Sequence, residues 1–100
     1  MKFSMNDEIL FKLTKIIKQR SQDLPDDSYV ARLLKKGKVK IANKLGEEAF
    51  ETVSAFLSEG KEELLEESAD LIFHLLILLE YSNLNIEDVL KTLKKRMKKW

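Results

Sequence analysis

Apolar residues recur at three- and four-residue steps along nearly the whole chain, and no stretch alternates with the two-residue period of a strand. The pattern predicts five helices. The first covers residues 6–20, with Ile9, Leu10, Leu13, Ile16 and Ile17 as a single stripe and Asn6 or Asp7 as its cap. Residues 21–27, containing Pro25, read as a loop. Ser28 then caps a short second helix over 29–36, carrying Tyr29, Val30, Leu33 and Leu34 and ended by Gly37. The third helix spans 39–57, where Ala42, Leu45, Ala49, Val53 and Phe56 form a seam expected to face the core. The fourth spans 62–82, and its second half, residues 71–79, is apolar nearly all round. Asn85, with Asp88 three residues later, caps a fifth helix over 86–98.

This is an all-α pattern, and at 100 residues it fits one compact domain covering the whole chain. A helix that is apolar on every side needs cover on most sides, and a chain of this size offers few helices to supply it. The expectation is an antiparallel helical bundle completed by a second copy of the chain, a homodimer.

Charge excludes more than it suggests. Eighteen basic and seventeen acidic residues leave a net charge of +1, so nothing points to nucleic acid or an acidic membrane as partner. The basic tail formed by Lys91, Lys94, Lys95, Arg96, Lys98 and Lys99 reads as a solvated face at a helix C-terminus. Cysteine is absent, which removes disulfides and thiolate metal sites and suits a reducing compartment. The opening MKFSMNDE has no signal-peptide apolar core, and the 71–79 stretch is too short to span a bilayer, so the cytoplasm is the expected location.

The chemistry lies in two acidic pairs, Glu48-x-x-Glu51 and Glu67-x-x-Asp70, on the third and fourth helices. Partners three apart lie about 60° around a helix and about 4.5 Å along it, so each pair shares a face. If the two helices fold back as an antiparallel hairpin about residue 59, Glu51 lies level with Glu67 and Glu48 with Asp70. Four carboxylates then converge on one helix–helix groove, a destabilising arrangement unless a hard cation, most simply Mg²⁺, fills it. A cation held this way keeps positions open for water and phosphate oxygens, which makes phosphoanhydride hydrolysis the best-matched reaction. Carboxylates not bound to the metal would accept the water's proton. Glu47 adds a third carboxylate on the third helix, and Lys44, one turn earlier, can neutralise the cluster or reach an anionic ligand.

Other features are open to two readings. Gly46 inside the third helix fits either close approach of another group or tolerated slack. His74, four residues after Asp70, either orients Asp70 behind the metal or is a buried histidine satisfied by a neighbouring helix. No Walker-type glycine-rich loop occurs, so phosphate recognition would fall to metal and to Lys or Arg. A di-iron carboxylate bundle is excluded, because its Glu-x-x-His pairs need more than the single histidine present.

Three stretches carry a resemblance: SYVARLLKKG at 28–37, KLGEEAFE at 44–51 and ESADLIFHLL at 67–76. Together they resemble the phosphoribosyl-ATP pyrophosphatase family, within the all-α (MazG-like) nucleoside-triphosphate pyrophosphohydrolases. LNIEDVL at 84–90 is similar to that family's last helix, and the likeness runs over roughly residues 9–96. The acidic elements are common to the larger group, whereas S-Y-x-x-x-L-L-x-x-G ahead of K-x-G-E-E narrows it. The resemblance implies Mg²⁺-dependent cleavage of phosphoribosyl-ATP to phosphoribosyl-AMP and pyrophosphate, the second step of histidine biosynthesis, by a homodimer with its site in a groove near the subunit interface. It implies Glu48, Glu51, Glu67 and Asp70 as metal ligands, Glu47 as their assistant, and Ser28, Tyr29 and Lys44 as substrate-binding residues. Arg32 stands where Lys is common, Phe50 and Phe56 replace smaller residues, and Thr52 and Ser54 make the third helix more polar than usual. Many relatives are fused to phosphoribosyl-AMP cyclohydrolase, which here would be a separate protein. Two rivals keep the same helices: a house-cleaning enzyme for other nucleoside triphosphates, and a non-enzymatic interaction module in which the acids are surface charge.

Overall fold

The computed structural model describes residues 5–100, with side chains from residue 8 onward. Among these residues there are five helices and no strand: α1 (Met5–Asp23), α2 (Tyr29–Lys36), α3 (Lys38–Ser58), α4 (Lys61–Tyr81) and α5 (Ile86–Arg96). The cap expected at Asn6 or Asp7 lies outside the described side chains.

α3 and α4 form the predicted antiparallel hairpin and make the most extensive helix–helix contact in the fold. The turn between them falls at Glu59 and Gly60, where the Glu63 carboxylate accepts the Gly60 N–H at 3.3 Å. α1 and α2 pack across the C-terminal half of α4. Ile17, Leu33, Ile41 and Ile77 meet there, and Ile77 is wholly buried. Burying a side chain of that kind stabilises the fold by roughly 1.5–3 kcal/mol. Two local devices fix the entry to each shorter helix. Ser28 Oγ accepts the Ala31 N–H at 3.2 Å, and Asn85 and Asp88 exchange side-chain and backbone hydrogen bonds at 3.2 and 3.0 Å.

α1 runs to Asp23, three residues beyond the expected end at Arg20. Pro25 is what stops it: the residue before a proline is driven out of the right-handed helical region, and Leu24 sits at φ 48°. On α1 the inward line is Leu10, Leu13 and Ile17, while Ile9 and Ile16 face outward.

The expected seam of α3 is corrected by one residue. Ile41, Glu48 and Ala55 are buried, Leu45 and Ala49 are half-buried, and Ala42, Val53 and Phe56 are exposed. The apolar pattern misleads because the line facing α4 carries Glu48 and Thr52, whereas Phe50, Val53, Phe56 and Leu57 point away. Among the described residues no atom of this chain lies within 4 Å of where a Gly46 Cβ would stand, so no backbone of the same chain accounts for this glycine.

Candidate active site

Antiparallel pairing brings the acidic residues to one level. The carboxylates of Glu48, Glu67 and Asp70 each offer an oxygen within 4.8 Å of the others. Glu51, opposite Glu67 as the hairpin arithmetic requires, shares a side-chain hydrogen bond with it. Two carboxyl groups form such a bond only when one keeps its proton. That bond, then burial, then the charges of Glu51, Asp70 and Glu48 hold the Glu67 pKa up at about 7.

Glu48 is the innermost member at 6% exposed. Its Oε1 lies 3.6 Å from Lys44 Nζ, which is also 3.6 Å from Glu47 Oε2. Its Oε2 is buried without a hydrogen-bond partner. An orphaned carboxylate oxygen in a cluster of like charge is one that a cation would satisfy. The donor set fits a hard divalent ion: every available ligand atom is a carboxylate oxygen. The histidine is not available. His74 Nδ1 is 2.7 Å from the Asp70 carbonyl oxygen and Nε2 is 2.7 Å from Tyr29 Oη. A carbonyl only accepts, so Nδ1 donates to it, and Nε2 is the partner of the Tyr29 hydroxyl. His74 therefore ties α2 to the main chain of α4 beside the acids, satisfied by a neighbouring helix, and it does not touch the Asp70 carboxylate. Phe73 and Tyr29 pack against its ring.

Next to the acids, α2 and α3 enclose a cleft of about 260 Å³ lined by Tyr29, Arg32, Leu33, Lys36, Lys40, Lys44 and Glu47. Lys44 and Glu47 belong to both places. Burial alone would lower the Lys44 pKa, but Tyr29, Glu47 and Glu48 together raise it, so the ammonium stays charged. Burial raises the Tyr29 pKa, with Glu48, Glu47 and Asp70 adding to it and Lys44 opposing. Ser28 does not line the cleft; its hydroxyl is engaged as the α2 cap.

Comparison with known proteins fits this geometry. Residues 10–97 match the family described as phosphoribosyl-ATP pyrophosphohydrolase. The chain belongs to this family. The phosphoribosyl-ATP pyrophosphatase of Metallosphaera sedula is 48% identical over 91 residues, covering 91% of this chain and 98% of that protein. That of Saccharolobus solfataricus is 44% identical over 94 residues, covering 94% of this chain and 100% of its own length. The histidine biosynthesis bifunctional protein HisIE of Buchnera aphidicola is 44% identical over 98 residues, 98% of this chain but 45% of that protein.

For this phosphoribosyl-ATP pyrophosphohydrolase family member, two features of the site escape the acidic motifs. Thr52 Oγ1 lies 2.8 Å from the Glu48 carbonyl and 3.1 Å from that of Glu67, so its single proton is shared between a carbonyl of its own helix and one of the facing helix. The signal was present as a polar residue four after Glu48 on the same face. Lys36 and Lys40 also went unmarked, although Tyr29, Arg32, Leu33 and Lys36 make one helical stripe, and Lys40, Lys44 and Glu47 another.

Proposed function

We propose that this chain hydrolyses phosphoribosyl-ATP to phosphoribosyl-AMP and pyrophosphate in histidine biosynthesis, as a single all-α domain acting in the cytoplasm. The observation that carries this reading is the meeting of Glu48, Glu67 and Asp70 beside a cationic cleft in a chain of this family. Glu48, Glu51, Glu67 and Asp70 would hold Mg²⁺, with the buried Glu48 Oε2 as the oxygen most in need of it. When bound, that ion neutralises polyphosphate charge and polarises phosphoryl oxygens. Lys44, kept cationic by its acidic neighbours, binds the polyphosphate. Glu47 faces the cleft from the edge of the cluster and takes a proton from the water that attacks the α–β bridge. Tyr29 forms one wall of the substrate site and is oriented by His74.

A second copy of the chain is the cover we assign to the outer face of the hairpin. Phe50, Phe56 and Leu65 are each at least 71% exposed, and Ile72 is 47% exposed. So many large apolar side chains exposed on two adjacent helices are the kind of surface that a partner covers. The bifunctional Buchnera relative supports a functional link to a second activity of histidine biosynthesis. Among the described residues, no single helix is long and apolar enough to cross a membrane.

The test is pyrophosphate release from phosphoribosyl-ATP with and without Mg²⁺, run beside a panel of simple nucleoside triphosphates. Turnover restricted to phosphoribosyl-ATP is expected. Preference for a simple triphosphate would move the chain to the house-cleaning role. Inactivity of a folded, Mg²⁺-supplied sample on every substrate would overturn the enzymatic reading.

A further inference from the structure

Four cations line the α2–α3 cleft, namely Arg32, Lys36, Lys40 and Lys44, against the single carboxylate of Glu47. Lys44 is matched by Glu47 and Glu48, and Arg32 donates to the Asp26 carbonyl at 3.1 Å. Among the described residues, Lys36 and Lys40 have no ion-pair partner. They sit on either side of Gly37, whose φ of 91° and ψ of −177° define a conformation essentially reserved for glycine. The connection thus sets two like charges around one concave surface, which concentrates positive potential there. Unpaired like charges in a concave site are unfavourable until an anion joins them.

Resting on the reading above, we propose that this cleft binds the β,γ-diphosphate of the substrate, the portion that departs as pyrophosphate, with Lys36 and Lys40 as its anion-binding residues. The α–β bridge must lie at the carboxylates, because that is where the hydrolytic groups converge. Lys44 lines the cleft and stands 3.6 Å from Glu48. The cleft therefore adjoins the position of the α–β bridge through Lys44, within reach of the β- and γ-phosphates that follow it. The substrate's other phosphate, on the second ribose, is separated from the bridge by the whole nucleoside. A diphosphate also carries more negative charge than a monophosphate, in keeping with four cations. In the reaction, water supplies the oxygen of the new P–O bond and the bridging P–O bond breaks. The water's proton passes to a carboxylate, and the diphosphate remains in the cleft until it leaves.

Titration calorimetry with Mg²⁺ present, using pyrophosphate and ribose 5-phosphate as separate probes, tests this without requiring turnover. Lys36 and Lys40 are exposed, so Lys36→Gln and Lys40→Gln should melt like the parent protein. Each is expected to weaken pyrophosphate binding roughly tenfold, the loss of one charge-assisted hydrogen bond. Ribose 5-phosphate binding should be unchanged, and Lys36→Arg and Lys40→Arg should restore most of the pyrophosphate affinity. The KM for phosphoribosyl-ATP should rise more than kcat falls. Unchanged pyrophosphate binding in both Gln variants overturns the proposal, as does selective loss of ribose 5-phosphate binding. A parent protein that binds pyrophosphate through these lysines yet never cleaves phosphoribosyl-ATP would instead sink the functional reading and leave the cleft assignment standing.

Discussion

Mg²⁺ added to the metal-free protein should expel a proton at pH 6 and scarcely any at pH 8. The Glu67 carboxyl is raised from 4.5 to about 7 by its hydrogen bond with Glu51, by burial, and by the charges of Glu51, Asp70 and Glu48. At pH 6 a group with that pKa is roughly nine-tenths protonated, against a few per cent for an ordinary glutamate. A cation needs the carboxylate ionised, so binding releases ~0.9 proton per chain at pH 6 and ~0.1 at pH 8. An indicator dye in weakly buffered solution reads this directly. The same shift governs stability. Between pH 4.5 and about 7 the native state holds the proton that the unfolded chain has lost. The unfolded-minus-native proton difference is therefore negative, and metal-free stability falls as pH rises through that window. Glu51→Gln should suppress both effects, because its amide N–H donates to the Glu67 carboxylate and favours the ionised form. Equal proton release at pH 6 and pH 8, or a release unaltered in Glu51→Gln, would refute the assignment of a shared proton to this pair.

Gly46→Ala should stabilise the protein by up to about 1 kcal/mol in urea unfolding, since a Cβ there meets nothing within 4 Å and helix propensity favours alanine. Tyr29→Phe should cost about 1–3 kcal/mol, because it removes the 2.7 Å partner of the buried His74 Nε2; an unchanged urea midpoint would show that this hydrogen bond does not hold α2 to α4. Phe56→Glu should shift the sedimentation mass from dimer to monomer by placing a charge on the outer face of the hairpin; a parent protein that sediments as a monomer would remove the reason given for that exposed surface.

Element type and order were legible in the sequence because each helix announces its own period and four of the boundaries carry a chemical marker: Ser28, Gly37, Gly60 and Asn85. The opposition of Glu51 and Glu67 was legible too, since a short turn at Glu59 and Gly60 leaves an antiparallel hairpin no freedom of level. What was not legible is which stripe of α3 faces inward. Two stripes compete there, an apolar one through Val53 and Phe56 and a mixed one through Glu48, Thr52 and Ala55, and local hydrophobicity favours the wrong one. A site built into a helix seam puts polar groups where a core pattern expects apolar ones. The role of His74 was undecidable for a different reason: its hydrogen-bond partner Tyr29 comes from a helix remote in sequence.

The site therefore divides along the fold. The α3–α4 hairpin supplies the acids, with the Thr52 hydroxyl shared between its two helices, and this half would serve any nucleoside triphosphate equally well. α2 supplies Tyr29, Arg32 and Lys36, joined to the α3 lysines through Gly37 and to the acids through His74. Acidic motifs alone cannot separate phosphoribosyl-ATP from a simple triphosphate, because both present the same bridge to the same carboxylates. The β,γ-diphosphate held in the α2–α3 cleft is common to both as well, so discrimination has to come from groups that meet what a simple triphosphate lacks, the second ribose and its phosphate. The hydrogen bond between Tyr29 and His74 fixes the substrate-facing helix to the acid-bearing one, so the cleft wall cannot drift from the reacting groups without breaking it.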